Sequence, residues 1–178
     1  MRLMQTPLAG AFVVELDLLG DERGWFARTY DDAFFAEHGL DPVGVQCNSS
    51  FNAARDTLRG LHFQADPHGE AKLVRCVRGA IWDCGVDLRP GSATYLGWYG
   101  VQLSADNRCG LYLPAGLAHG FQTLTGGCEV QYLMGNVHVP EAARGVRWDD
   151  PAFAIEWPAP QGERTLSEKD RTYPDFDP

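Results

Sequence analysis

The chain has no CxxC pair. Its five cysteines (Cys47, Cys76, Cys84, Cys109 and Cys128) are odd in number and scattered along the sequence. That pattern argues against a zinc finger or a disulfide framework and fits unpaired, buried thiols in a reducing cytoplasm. No apolar run approaches the roughly twenty residues needed to cross a bilayer, and the opening "MRLMQTPLAG" carries no apolar signal core. Positive charge is scarce: 15 Lys and Arg stand against 24 Asp and Glu, for a formal net charge of −9. Neither nucleic acid nor an anionic membrane suits such a surface as a main partner, so any anionic ligand must be met by individually placed cations. A GxGxxG or other nucleotide-cofactor fingerprint is missing, which leaves no sign of a redox cofactor. Nor does any repeat, low-complexity tract or linker divide the 178 residues, which predicts one domain over 1–178.

What is present is a globular composition, 44% hydrophobic and 22% charged. Most of it reads as short strands punctuated by Gly, Asn, Asp and Pro. "GAFVVELDLL" and "GWFARTY" flank the turn-like "GDERG". "KLVRCVRGAIWDCGVDLR" reads as two strands meeting at Arg78-Gly79. In the second of them Trp82, Cys84, Val86 and Leu88 face one way, and Asp83 and Asp87 the other. "DDAFFAEHGL" alone looks helical, with Asp31 or Asp32 as N-cap and Gly39 as the stop. The polar tail "LSEKDRTYPDFDP" reads as irregular or a short helix. Many evenly spaced strands with little helix predict an all-β antiparallel sandwich or jelly roll with a few short helices.

Several polar residues sit where a core would not choose them. In "TLRGLHFQ", strict alternation puts Leu58, Gly60, His62 and Gln64 on one face and Arg59, Leu61 and Phe63 on the other. A histidine beside a glycine on a polar face suits the lining of a barrel cavity, although a lone histidine more often has a structural role. Lys72 shares a face with Val74 and Cys76; an interior lysine needs a partner because desolvating its charge is costly, whereas a lysine at the rim packs only its stem and keeps its head in water. Tyr132 lies on the face of Val130 and Met134. His119 sits in "LPAGLAHGF", a Pro-x-Gly-x-x-His turn similar to the second half of the cupin metal signature. The first half would need two histidines and here is His62-Phe63-Gln64, so no metal is expected. Arg23, in the turn "DERG", and Arg59, beside Gly60, present guanidinium forks that match phosphate oxygens as well as they match surface carboxylates.

The blocks "DERGWF", "QCNSSF", "TLRGLHFQ", "KLVRCVRGAIWDCGVDLR", "PAGLAHGF", "WDDPAFAIEWP" and "LSEKD" together resemble the dTDP-4-dehydrorhamnose 3,5-epimerase family, in order, from about residue 10 to about residue 170. The resemblance implies a cupin-type jelly roll, a homodimer, no metal or redox cofactor, and a nucleotide-linked 4-keto-6-deoxy sugar as substrate. It implies His62 as general base, Asp170 as its partner, Tyr132 as the opposing acid and Lys72 near the keto oxygen. The same resemblance places the C-terminal tail, from about residue 160, near the active site. It implies Arg23 and Arg59 on the diphosphate, with Gln46, Asn48, His119 and Phe26 lining the nucleotide-sugar site. Two positions depart from the family pattern. Arg28 stands where a glutamate is common, and His138 where a second aromatic is common; both bear on recognition of the nucleobase. The alternatives are an epimerase acting at C3 or C5 alone, or one for a GDP- or CDP-linked sugar. From other classes come a metal-dependent cupin and a silent sugar-binding cupin.

Those residue types match the chemistry. Inverting a carbon next to a ketone removes a proton from one face and returns one to the other. A ketone at C4 acidifies both C3–H and C5–H. An imidazole titrates at about 6.5, near working pH, and a phenol at about 10 is still a proton donor there. General acid–base catalysis alone contributes roughly 10² to 10⁴ in rate, so the developing enolate also needs a cation or a hydrogen-bond donor at its oxygen.

Overall fold

A computed structural model describes residues 1–177. In chain order its elements are β1 (Arg2–Gln5), β2 (Phe12–Glu15), β3 (Leu19–Asp21), β4 (Gly24–Phe26), α1 (Asp32–Glu37), β5 (Gln46–Asn52), β6 (Leu58–Gln64) and β7 (Lys72–Arg78). They continue with β8 (Ala80–Asp87), β9 (Trp98–Ser104), β10 (Gly110–Leu113), β11 (Leu117–Thr123), β12 (Cys128–Met134), β13 (Ala143–Gly145) and α2 (Glu168–Arg171). The helix ends are those the sequence signals. Asp31 caps α1 by accepting from the Phe34 N–H, and Gly39 follows it at φ +68°.

A six-stranded sheet, β1-β2-β10-β7-β12-β5, faces a five-stranded one, β13-β6-β11-β8-β9, and every ladder in both is antiparallel. Between them a core of Val74, Ile81, Leu103, Leu111, Leu113, Phe121 and Val130 fills one half of the interior. The other half is an open cleft. Outside the six-stranded sheet, Phe35 of α1 and Val43 pack on Leu73 and Tyr112. Outside the five-stranded sheet, Val146, Phe153 and Trp157 of the C-terminal segment roof Leu61, Val86 and Ala118.

This roof decides the two faces of β8. Trp82 turns outward, packing on Trp98 and Trp157, and the face carrying Asp83 and Asp87 is the buried interior. The alternation read from sequence is therefore correct, with the carboxylates inside. Asp87 closes a turn by accepting from Arg89, Ser92 and Thr94. Burial alone would raise its carboxyl; those bonds outweigh burial and hold it far below the usual range.

In β6 the alternation fails. His62 pairs with His119 of β11, but Arg59 pairs with Phe121, so three steps along β6 match two along β11. The extra residue is a β-bulge. Gly60 takes φ +126° within it, and a Cβ there would lie 2.5 Å from the Cα of Gly120, so only glycine fits. The bulge turns Arg59 onto the same side as His62, while Leu61 and Phe63 stay with the outer cluster.

Candidate active site

The cleft has a volume of about 680 Å³ and draws its walls from both sheets. From the five-stranded sheet come Arg59, His62 and His119; from the six-stranded sheet come Asn48, Lys72 and Tyr132. Tyr132 and Asn48 face each other across the β12–β5 ladder, as do Met134 and Gln46.

His62 is anchored from outside its own sheet. Its Nε2 lies 2.7 Å from Asp170 Oδ1, and Asp170 is held in the first turn of α2, where its N–H donates to the capping Ser167 hydroxyl. A short polar tail thus delivers one carboxylate to the cleft rim. Burial is the largest influence on Asp170 and raises its pKa. The bond and charge of His62, with contributions from Ser167 and the Gly60 backbone, outweigh it and bring the carboxyl below its ordinary value. With Nε2 engaged by a carboxylate, Nδ1 is the nitrogen left to carry a lone pair.

Lys72 joins the two sheets. Its Nζ donates to the His62 carbonyl at 2.9 Å and pairs with Glu70 Oε1 at 3.3 Å. Glu70 in turn accepts from Gln64, whose other bonds go to the backbone of His68, Val137 and Val139. Gln64 is therefore a structural cross-brace. Burial pushes the Lys72 ammonium below its ordinary pKa, and Glu70 and Asp83 oppose that shift. Beneath it, His119 Nε2 meets Asp83 Oδ1 at 2.8 Å. Burial raises the Asp83 carboxyl, against His119 and Lys72, and its second oxygen is buried without a partner.

Tyr132 is pushed up to about 12, chiefly by burial, with the hydrogen bond from Ser50 acting in the opposite direction. Arg59 has no carboxylate partner among the described residues. Its Nε donates to Asn52 Oδ1 at 2.7 Å, leaving the rest of the fork at the cleft.

The residues singled out from sequence therefore divide. His62, Asp170, Tyr132, Lys72, Arg59, Asn48, His119 and His138 all line the cleft or pair with a residue that does. Arg23, Phe26, Arg28 and Gln46 do not line it. Arg23 is ion-paired to Asp21, and Phe26 is 68% exposed on the β3–β4 hairpin, which pairs with neither main sheet. Arg28 pairs with Asp31, and Gln46 accepts from the His138 N–H. Sequence reading missed Glu70, Asp83, Ser50 and Asn52. A signal existed for the last two: Gln46, Asn48, Ser50 and Asn52 are a polar stripe of period two in "QCNSSFN".

Residues 5–178 match the dTDP-4-dehydrorhamnose 3,5-epimerase family. A dTDP-4-dehydrorhamnose 3,5-epimerase of Methanothermobacter thermautotrophicus is 45% identical, over 97% of this chain and 92% of its own. The crystal structure of such an epimerase from Bacillus anthracis, with TDP and PPi bound, aligns at a TM-score of 0.92 and 39% identity, covering 98% of this chain and 99% of that one. A 3'-monoepimerase from Streptomyces bikiniensis, in complex with dTDP-quinovose, aligns at 0.87 and 33% identity, covering 96% and 85%. The jelly roll is thus of the cupin type, and the chain belongs to the dTDP-4-dehydrorhamnose 3,5-epimerase family.

Proposed function

We propose that this protein is a cofactor-independent epimerase of a dTDP-linked 4-keto-6-deoxyhexose, converting dTDP-4-dehydro-6-deoxyglucose to dTDP-4-dehydrorhamnose by inversion at C3 and C5. The observation that carries this reading is the His62–Asp170 pair on one side of the cleft and Tyr132 on the facing sheet, with the Lys72 ammonium bonded to the His62 carbonyl in the same cleft. His62 Nδ1 takes the proton α to the ketone, and Asp170 holds the imidazole tautomer and favours the imidazolium as it forms. The electron pair moves onto O4, where Lys72 meets the developing negative charge. Tyr132 returns a proton to the carbon from the opposite face, and its phenolate is reprotonated from solvent. Arg59 binds the diphosphate, Asn48 and His119 line the sugar site, and His138 stands at the nucleobase end.

In D₂O with the dTDP-4-keto-6-deoxy sugar, deuterium is expected at both C3 and C5 of the product, read by NMR. Label at one carbon selects the single-site alternative, the activity named for the 33% identical 3'-monoepimerase. No label overturns the proposal, and turnover only with GDP- or CDP-linked sugars reassigns the base.

The enzyme works as a homodimer. Support comes from the β3–β4 hairpin, which leaves Leu19 and Phe26 each 68% exposed and Trp25 49% exposed, a patch that a second copy would cover. In that arrangement Arg23, Phe26 and Arg28 reach a nucleotide in the partner's cleft. The expected solution mass is twice 19.6 kDa by light scattering, and a monomer at micromolar concentration would refute it. A reducing cytoplasm suits the five free cysteines. Among them Cys76, Cys84 and Cys128 are buried, and burial raises the thiol of Cys76 to about 12.

A further inference from the structure

A chain of hydrogen bonds along β5 links Arg59 to Tyr132. Arg59 Nε donates to Asn52 Oδ1 at 2.7 Å, the Asn52 amide nitrogen lies 3.4 Å from Ser50 Oγ, and Ser50 Oγ lies 2.9 Å from the Tyr132 hydroxyl. Asn52, Ser50 and Asn48 follow one another on the inner face of β5, opposite Cys128, Val130 and Tyr132 of β12, so the links lie along one ladder. Asn52 is 2% exposed and also donates toward the Cys128 carbonyl, which restricts its freedom to turn.

The direction of these bonds follows from what each group can do. A guanidinium donates and never accepts, so the atom of Asn52 facing Arg59 is the carbonyl oxygen and the opposite atom is the NH₂. Ser50 Oγ therefore accepts from Asn52. A hydroxyl that accepts from a polarised donor becomes a better donor itself. Ser50 O–H then points at the Tyr132 oxygen, and the phenolic hydrogen is turned away from β5 toward the open cleft, which Tyr132 lines.

We propose that Ser50 and Asn52 are positioning residues for Tyr132. The relay starting at Arg59 orients the phenol as a donor into the cleft and stabilises the phenolate left when its proton moves to carbon. Because Arg59 also stands at the expected diphosphate site, an anion bound there acts on the same relay. This inference rests on the reading of Tyr132 as the proton donor. It predicts a specific defect: with delivery impaired, the enolate is reprotonated by the His62 side and returns to substrate. No bond other than C–H and O–H changes, and the proton count balances through solvent.

The test follows substrate and product together in D₂O for Ser50→Ala, Ser50→Thr, Asn52→Asp and Tyr132→Phe. Ser50→Ala is expected to lower kcat about tenfold, the loss of one hydrogen bond to a group that becomes charged, with KM changed less than about twofold. Deuterium recovered in unreacted substrate, relative to product formed, should rise about tenfold, and Ser50→Thr should restore the wild-type ratio. Asn52→Asp keeps the acceptor for Arg59 but removes the donor to Ser50. Ser50 then donates to the new carboxylate and the phenol turns to Ser50, so the same rise in substrate label is expected. On a Tyr132→Phe background, Ser50→Ala should change neither residual rate nor label. A wild-type ratio in both Ser50→Ala and Asn52→Asp, beside an inactive Tyr132→Phe, overturns the relay alone. Tyr132→Phe that inverts at full rate overturns the donor assignment and the relay with it.

Discussion

His62→Ala is expected to abolish inversion and solvent exchange together, with kcat lower by roughly 10³ to 10⁴ and no deuterium at C3 or C5. The loss is large because the other carboxylate-backed imidazole of the cleft, His119, is far less accessible. His119 is 5% exposed, and its Nε2 is already bound to Asp83. The fold should tolerate the change. The His62 side chain is 43% exposed, and the bond from Lys72 goes to the backbone carbonyl, which alanine keeps. Deuterium wash-in at the wild-type rate would remove His62 from the mechanism. This signature differs from that of the Tyr132 side, where exchange persists while inversion is lost, so the two ends of the proton path can be told apart in one experiment.

Lys72→Met is expected to lower kcat by roughly 10² to 10³, or about 2.7–4 kcal/mol, because the enolate oxygen loses its preorganised cation. Affinity should change little, since the charge that Lys72 meets develops only after binding. The pH dependence supplies a second check. Burial depresses the Lys72 pKa below 10.5, so the ammonium is lost at a lower pH than in a free lysine. Tyr132, raised to about 12, is still protonated there. The alkaline limb of kcat should therefore fall below 10.5 and belong to Lys72, and Lys72→Arg should move it to higher pH. Removing one partner of a buried ion pair can destabilise by about 3–5 kcal/mol. Glu70→Gln combined with Lys72→Met separates that loss from catalysis. A double variant that folds normally and turns over at the wild-type rate would exclude Lys72 from enolate stabilisation.

The strands, the capped helix and the inward placement of Lys72 and Tyr132 were legible because each depends on short-range periodicity. A period of two is a property of the extended backbone, and it holds wherever the ladder is regular. In β6 the same rule misplaced Arg59. The bulge there depends on Gly60 meeting Gly120, two residues far apart in sequence whose close approach no local pattern reveals. Along the sequence Ser50 and Asn52 are ordinary polar residues of a strand. Their significance comes from Arg59 and Tyr132, which the fold brings to them from two other strands.

By itself the sequence determined the all-β class, the family and the identity of the groups able to move a proton, because composition, periodicity and ordered motifs are written along the chain. Tertiary structure alone decided which groups share a cleft and in what electrostatic state. The roof of Val146, Phe153 and Trp157 leaves Asp83 inside, the cap at Ser167 brings Asp170 to His62, and the crossing to the His62 carbonyl buries the Lys72 ammonium. Those outcomes depend on desolvation and on contacts between distant segments, and neither exists until the two sheets have closed on each other.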